Sequence, residues 1–189
     1  LVQIAVKAQR GPNDSAWKTE DVARLEKDEN VEAKRTMEYQ LTVLNPTTDK
    51  RTNLAVMDVM PTLGDWRLSG DTRKSEWSIY FKGPGVDSVM VNGEANTDYT
   101  IYYFTGDATQ FDGLTAYTDI LAAAKSNSLD SSWTTSYPGD NMVTAFIIVF
   151  DYDPNEETAT TTADTVVLEP TGTIQIEYTA TTPFREADD

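Results

Sequence analysis

Asp58 is the only charge in the run LAVMDVMP at 54–61. In a half-buried strand alternate residues share a face, so Leu54, Val56, Asp58 and Met60 point one way and Ala55, Met57 and Val59 the other. Either way the carboxylate has apolar neighbours. That leaves three uses for it: a misfit, a turn former at the strand end before Pro61, or an acid whose pKa is exploited. A second cluster is DYDPNEE at 151–157, where Asp151, Asp153, Asn155 and Glu157 place oxygen ligands at alternate positions, the spacing with which a short loop wraps calcium. The cluster lacks the glycine and the distant bidentate glutamate of an EF-hand, and an ordinary solvated acidic turn is its other reading. Calcium is the one cofactor the sequence suggests. The four tryptophans, Trp17, Trp66, Trp77 and Trp133, are either flat platforms for a sugar ring or packing residues of a core. No spacing among the acidic residues singles out a glycosidase pair.

The chain contains no cysteine and no histidine, which removes Ser-His-Asp and Cys-His triads and every thiolate or imidazole metal site. A hydrolytic enzyme is therefore the least favoured class. Acidic residues outnumber basic ones 31 to 15, and a net charge of −16 disfavours nucleic acid and anionic membrane as partners. The longest apolar run, VTAFIIVF at 143–150, has the length of a strand, so no membrane insertion is expected. Exported life, if this is its setting, proceeds without disulfides. Leu1 carries no basic-then-apolar leader, and the expectation is that any export signal was removed or lies outside this sequence.

The elements that must position Asp58 are mostly strands. VQIAVKA at 2–8, TMEYQLTVLN at 36–45, LAVMDVM at 54–60, SEWSIYFKG at 75–83, DSVMVNG at 87–93 and DYTIYYFTG at 98–106 alternate or are rich in β-branched and aromatic residues. One stretch, LTAYTDILAAAKSN at 114–127, repeats its apolar residues at helical spacing and is expected to cross between strands. MVTAFIIVFDY at 142–152 is apolar on both faces and belongs in a central strand, while TVVLEP and TIQIEYTATT supply two late strands around Pro170 and Gly172. The Thr-rich ETATTTADT at 157–165 suits a solvated loop or an edge strand. There is no internal repeat or Gly/Ser linker. The sequence thus predicts one mainly β domain, a β-sandwich over residues 1–182, with 183–189 a polar loop or the start of a linker.

The order of MEYQLTVLNPT, LAVMDVMPTLGDW, RKSEWSIYFKGP, DYTIYYFTG, SSWTTSYPGDNMVTAFIIVFD and LEPTGTIQIEYTATTP resembles the stalk and adhesin domains of Gram-positive cell-surface proteins. It is similar in particular to the collagen-adhesin-type, reverse-immunoglobulin sandwiches that form an intramolecular isopeptide bond. The resemblance implies an extracellular, wall-attached structural or adhesive module, with a host or neighbouring-cell protein or glycan as partner; the alternative class is a sandwich that binds a carbohydrate or protein ligand. It also implies roles for two residues. Lys7, in the first strand, stands where the family has its nucleophilic lysine, and Asp58 where a middle-strand acid assists attack on a last-strand asparagine. A half-buried Lys7–Asp58 ion pair is the competing reading. TIQIEYTATT contains no asparagine. The expectation is therefore an incomplete sandwich whose last strand leaves an open edge, closed by sequence beyond Asp189 or by a strand from a neighbouring subunit. Glu177 is the only acid within that strand, and alternation places it on the face away from Ile176 and Tyr178.

Overall fold

The computed structural model describes residues 4–12, 14–19, 36–61, 78–111, 114–140, 142–153 and 165–181. Among them, strands β1 (Ile4–Arg10), β2 (Thr36–Leu44), β3 (Ala55–Val59), β4 (Tyr80–Lys82), β5 (Ser88–Val91), β6 (Glu94–Ala95), β7 (Tyr99–Phe104), β8 (Trp133–Thr134), β9 (Ala145–Phe150) and β10 (Thr173–Thr181) form two antiparallel sheets. The first has the order β1-β2-β10-β5-β6, with β4 joining β5 along the far side of β10; the second has the order β3-β9-β7-β8.

Period-two patterning fixes how the sheets meet. On β2, Met37, Tyr39, Leu41 and Val43 are buried, and on β10 Ile174, Ile176, Tyr178 and Ala180. They share one core with Val56 of β3 and Phe146, Ile148 and Phe150 of β9, from the other sheet. Aromatic rings cross the interface: Phe146 of the second sheet lies edge-on to Tyr178 at 5.0 Å and against Phe81 at 4.9 Å, while Phe81 and Tyr178 stack on each other within the first sheet at 5.6 Å.

The second sheet is covered on its other face too. Helix α1 (Leu114–Lys125) lays Tyr117, Ile120, Leu121 and Ala124 against Met57, Ala145 and Ile147, beside Phe104, Phe111 and Trp133. This explains why β9 is apolar throughout: it lies between β3 and β7, with the first sheet on one face and α1 on the other. The helix lies between β7 and β8 in the chain, between strands as expected, and covers the outer face of their sheet. None of the described helices is long and apolar enough to cross a membrane.

Two expectations are corrected. β10 is not an open edge; β2 pairs with all nine of its residues on one side, and β5 and β4 pair on the other. Among the described residues the strand order of this sheet ends at β1 and β6 instead, with β4 off that path beside β10. TVVLEP does not form a strand either. It makes one bridge, Arg51 to Leu168, and a Val166 N–H bond to the Asp151 carbonyl, and it is also held by two side chains: Asn45, which donates to the Leu168 and Glu169 carbonyls, and Asn92, whose amide donates to the Val167 carbonyl while its Oδ1 accepts from the Glu169 N–H. Asn92 can do this because it sits at φ 53° before Gly93 at φ 85°, the paired left-handed turn that an Asn-Gly hairpin between β5 and β6 requires. The strand expected over 75–83 is the three-residue β4, stopped by the turn at Gly83 (φ 101°); residues 75–77 lie outside the described residues.

Candidate functional site

The alternation expected for residues 54–60 is what the structure has. Leu54, Val56 and Met60 join the core between the sheets, whereas Met57, Ala55 and Val59 face α1. Asp58 is thereby turned into the sandwich, opposite Phe146 on β9. Across the gap, Lys7 on β1 pairs in register with Leu41 of β2, and residues directly opposite in an antiparallel ladder share a face, so its side chain also points inward.

The two side chains meet. Lys7 Nζ donates to Asp58 Oδ2 at 2.7 Å, and the side chains are 29% and 12% exposed. The Tyr178 hydroxyl donates to the same oxygen, so one carboxylate oxygen of the second sheet accepts from two strands of the first. The ammonium lies 4.5 Å from the centre of the Tyr39 ring and 5.7 Å from that of Tyr178, and those two rings stack on each other at 5.2 Å. Aromatic faces carry partial negative charge, so the rings favour the lysine cation where water is scarce. Chemically the cluster is a charge-assisted tie between sheets, with a hydroxyl that fixes the orientation of the carboxylate.

Of the readings open for Asp58, the ion pair is the geometry observed: the carboxylate faces the core rather than the turn at Pro61. The described asparagines serve other ends. Asn45, Asn92, Asn96 and Asn127 bond to Asp49 and Leu168, to Val167, to Asp98 and to Tyr102 respectively, and Asn53 occupies a left-handed turn position. Glu177 lies on the outer face of its sheet, as alternation required, accepting from Gln40 at 2.8 Å and Gln175 at 3.1 Å. Tyr178 and Tyr39 are the members of the cluster that sequence reasoning missed.

A third tyrosine approaches Asp58 from behind. Tyr117 of α1 donates its hydroxyl to the Met57 carbonyl at 3.1 Å, occupying a backbone acceptor of edge strand β3. Burial, then the neighbouring Asp58 charge, push its pKa up to about 12 from an ordinary 10.0. The folded state thus favours the neutral phenol: the corresponding stability is fully present below pH 10 and is lost as pH rises towards 12. Tyr117→Phe is expected to cost about 1 kcal/mol at neutral pH through the lost hydrogen bond. It should also flatten the fall in stability between pH 10 and 12, measured by urea titration at each pH. An unchanged slope would show that Tyr117 does not carry that dependence.

The other candidates fare differently. In the acidic cluster, Asp151 is exposed and the Asp153 N–H is bonded to Thr165 Oγ1 at 3.0 Å; Asn155 and Glu157 lie outside the described residues. Among the described residues no three His, Cys, Asp or Glu side chains converge as metal ligands. Trp133 is a core residue packed on Phe104 and Phe111, and Trp17 has Arg10 over its ring at 4.6 Å. Trp66 and Trp77 lie outside the described residues. No family model, no curated protein and no solved structure gives a significant match to this chain.

Proposed function

We propose that this chain is a structural or adhesive module of an exported bacterial surface protein or filament. Its fold is read as an immunoglobulin-like sandwich of the reverse type. In this reading the module stands outside the cell, attached to the wall or surface. It holds or presents a binding end towards a host or neighbouring-cell protein or glycan, and it performs no catalysis beyond at most one self-cross-linking event.

The observation that carries the proposal is the Lys7–Asp58 contact at 2.7 Å between the first strand of one sheet and an edge strand of the other. Removing two charges from water is costly, and a hydrophobic pair of similar volume would serve simple stability as well. A charged tie at this place is better suited to holding register between sheets, which is what a load-bearing module needs. It also places a lysine amine beside a carboxyl group, the starting arrangement for an amide.

Intact mass together with thermal melting tests the proposal. An amide from Lys7 to an asparagine releases ammonia and lowers the mass by about 17 Da, an amide to Asp58 releases water and lowers it by about 18 Da, and the ion pair leaves it unchanged. In the ion-paired form Lys7→Met should melt several degrees below the wild-type chain because Asp58 then loses its cation, and in either amide form because the cross-link is lost. Melting at or above the wild-type temperature, with an unmodified wild-type mass, would show that the tie contributes nothing and would remove the support for a structural role.

A further inference from the structure

The register of the first sheet sets how the chain responds to tension. β1 and β10 both run antiparallel to β2, one on each side of it, so they run parallel to each other. β1 begins with Ile4 beside Leu44, and β10 ends with Thr181 beside Thr36, at opposite ends of β2. A pull on the two chain ends therefore drives β1 and β10 in opposite directions along the strand axis.

From this we infer that the β1–β2 pair is a shear clamp: the element that bears load when the chain is stretched end to end, with Lys7 as its pin. Inter-strand hydrogen bonds lie perpendicular to the strands, so a force along the axis loads the whole ladder at once instead of opening it from one end. Among the described residues β10 is held on both sides along its length, whereas β1 is bonded to β2 on one side over seven positions, with a bridge from Gln9 to Lys18 on the other. β1 is thus the strand that slides first. Lys7 lies in the middle of it, and sliding by even one residue pair must draw its ammonium away from Asp58 and past the Tyr39 ring. The clamp shares the Lys7 contact with the surface-protein reading but stands on strand register, which that reading does not use, so equal forces in the two pulling geometries described below would remove the clamp alone.

Single-molecule pulling tests it. The chain has no cysteine, so handles can be placed at will. In one geometry they are attached at the two chain ends; in the other, at the chain start and at Thr48→Cys, an exposed position in the loop that follows β2. The second geometry concentrates force on the Ile4–Leu44 end and opens β1 from β2 one pair at a time. Forced unfolding reports the unfolding barrier, and the end-to-end geometry should rupture abruptly at a force severalfold higher at the same loading rate. The comparison is made in wild type and in Lys7→Arg, which keeps the cation but cannot form an amide. A severalfold ratio in both proteins supports the clamp. Equal forces in the two geometries, or a ratio lost in Lys7→Arg, would overturn it, the latter by tracing the resistance to a covalent bond and not to register.

Discussion

Gly172→Ala is expected to destabilise the protein by about 2–4 kcal/mol, among the largest losses available from adding one methyl group. Gly172 ends the turn that delivers the chain into β10, donating its N–H to the Glu169 carbonyl, while its own carbonyl accepts from the Asn45 N–H. A Cβ there would lie 2.1 Å from Asn92 Oδ1 and 2.9 Å from the Glu169 carbonyl oxygen. Asn92 cannot simply rotate away, because the same side chain holds Val167 and Glu169. Either those hydrogen bonds break or the turn moves and drags the start of β10 with it. The glycine is required by close approach, not by a left-handed backbone. The added variant Asn92→Gly keeps the left-handed position permissive and removes the obstructing oxygen, so the double variant should regain part of the loss. Urea unfolding of the two singles and the double checks this, and a Gly172→Ala protein as stable as wild type would contradict the packing described.

Asp58→Ala should cost about 2–4 kcal/mol. The substitution takes the Asp58 carboxylate away from the Lys7 ammonium over the Tyr39 ring and from the Tyr178 hydroxyl inside the core. Fully buried pairs that lose one partner cost more, and the exposure of Lys7 moderates the figure, since solvent screens part of the charge. Asp58→Asn is the milder control: the amide oxygen still accepts from Tyr178, the charge is lost, and the expected cost is about half as large. Chemical denaturation at neutral pH gives both values. Equal and small losses for the two variants would mean that the carboxylate contributes little.

Much of this arrangement was legible in the sequence because it is local. The sides taken by residues 54–60, the helix at 114–125 and the central character of β9 all follow from periodicity within a dozen residues, whereas the Asn-Gly turn at 92–93 ends a strand expected to run through it. The Lys7–Asp58 pairing came from a resemblance, since 51 positions separate the two and no local pattern joins them. The tyrosines were invisible for another reason. Tyr39 and Tyr178 occupy inward positions of alternating strands, where an aromatic residue reads as packing, and only the cross-strand register shows that one hydroxyl reaches Asp58. Strand order was misread because sequence carries it weakly. β10 is the last strand described yet lies inside its sheet, which a reading from the end of the chain mistakes for an edge. TVVLEP has strand composition, but its partners include the side chains of Asn92 and Asn45 and single backbone contacts, which composition does not encode. Asn45 is similar: the sequence NPTTD reads as a polar loop, whereas its first residue is buried and donates to the carbonyls of Asp49, Leu168 and Glu169.

The central claim is that Lys7 and Asp58 are energetically coupled across the two sheets, and a double-mutant cycle measures that coupling directly. Stability is determined for wild type, Lys7→Met, Asp58→Ala and the double variant under one set of denaturation conditions. If the tie holds the sheets in register, the double variant will be more stable than the sum of the single losses implies, with a coupling of about 1–3 kcal/mol that shrinks only slightly in high salt because the pair is partly buried. Single losses that add with no coupling would contradict the account and leave Lys7 and Asp58 as neighbours without a shared role.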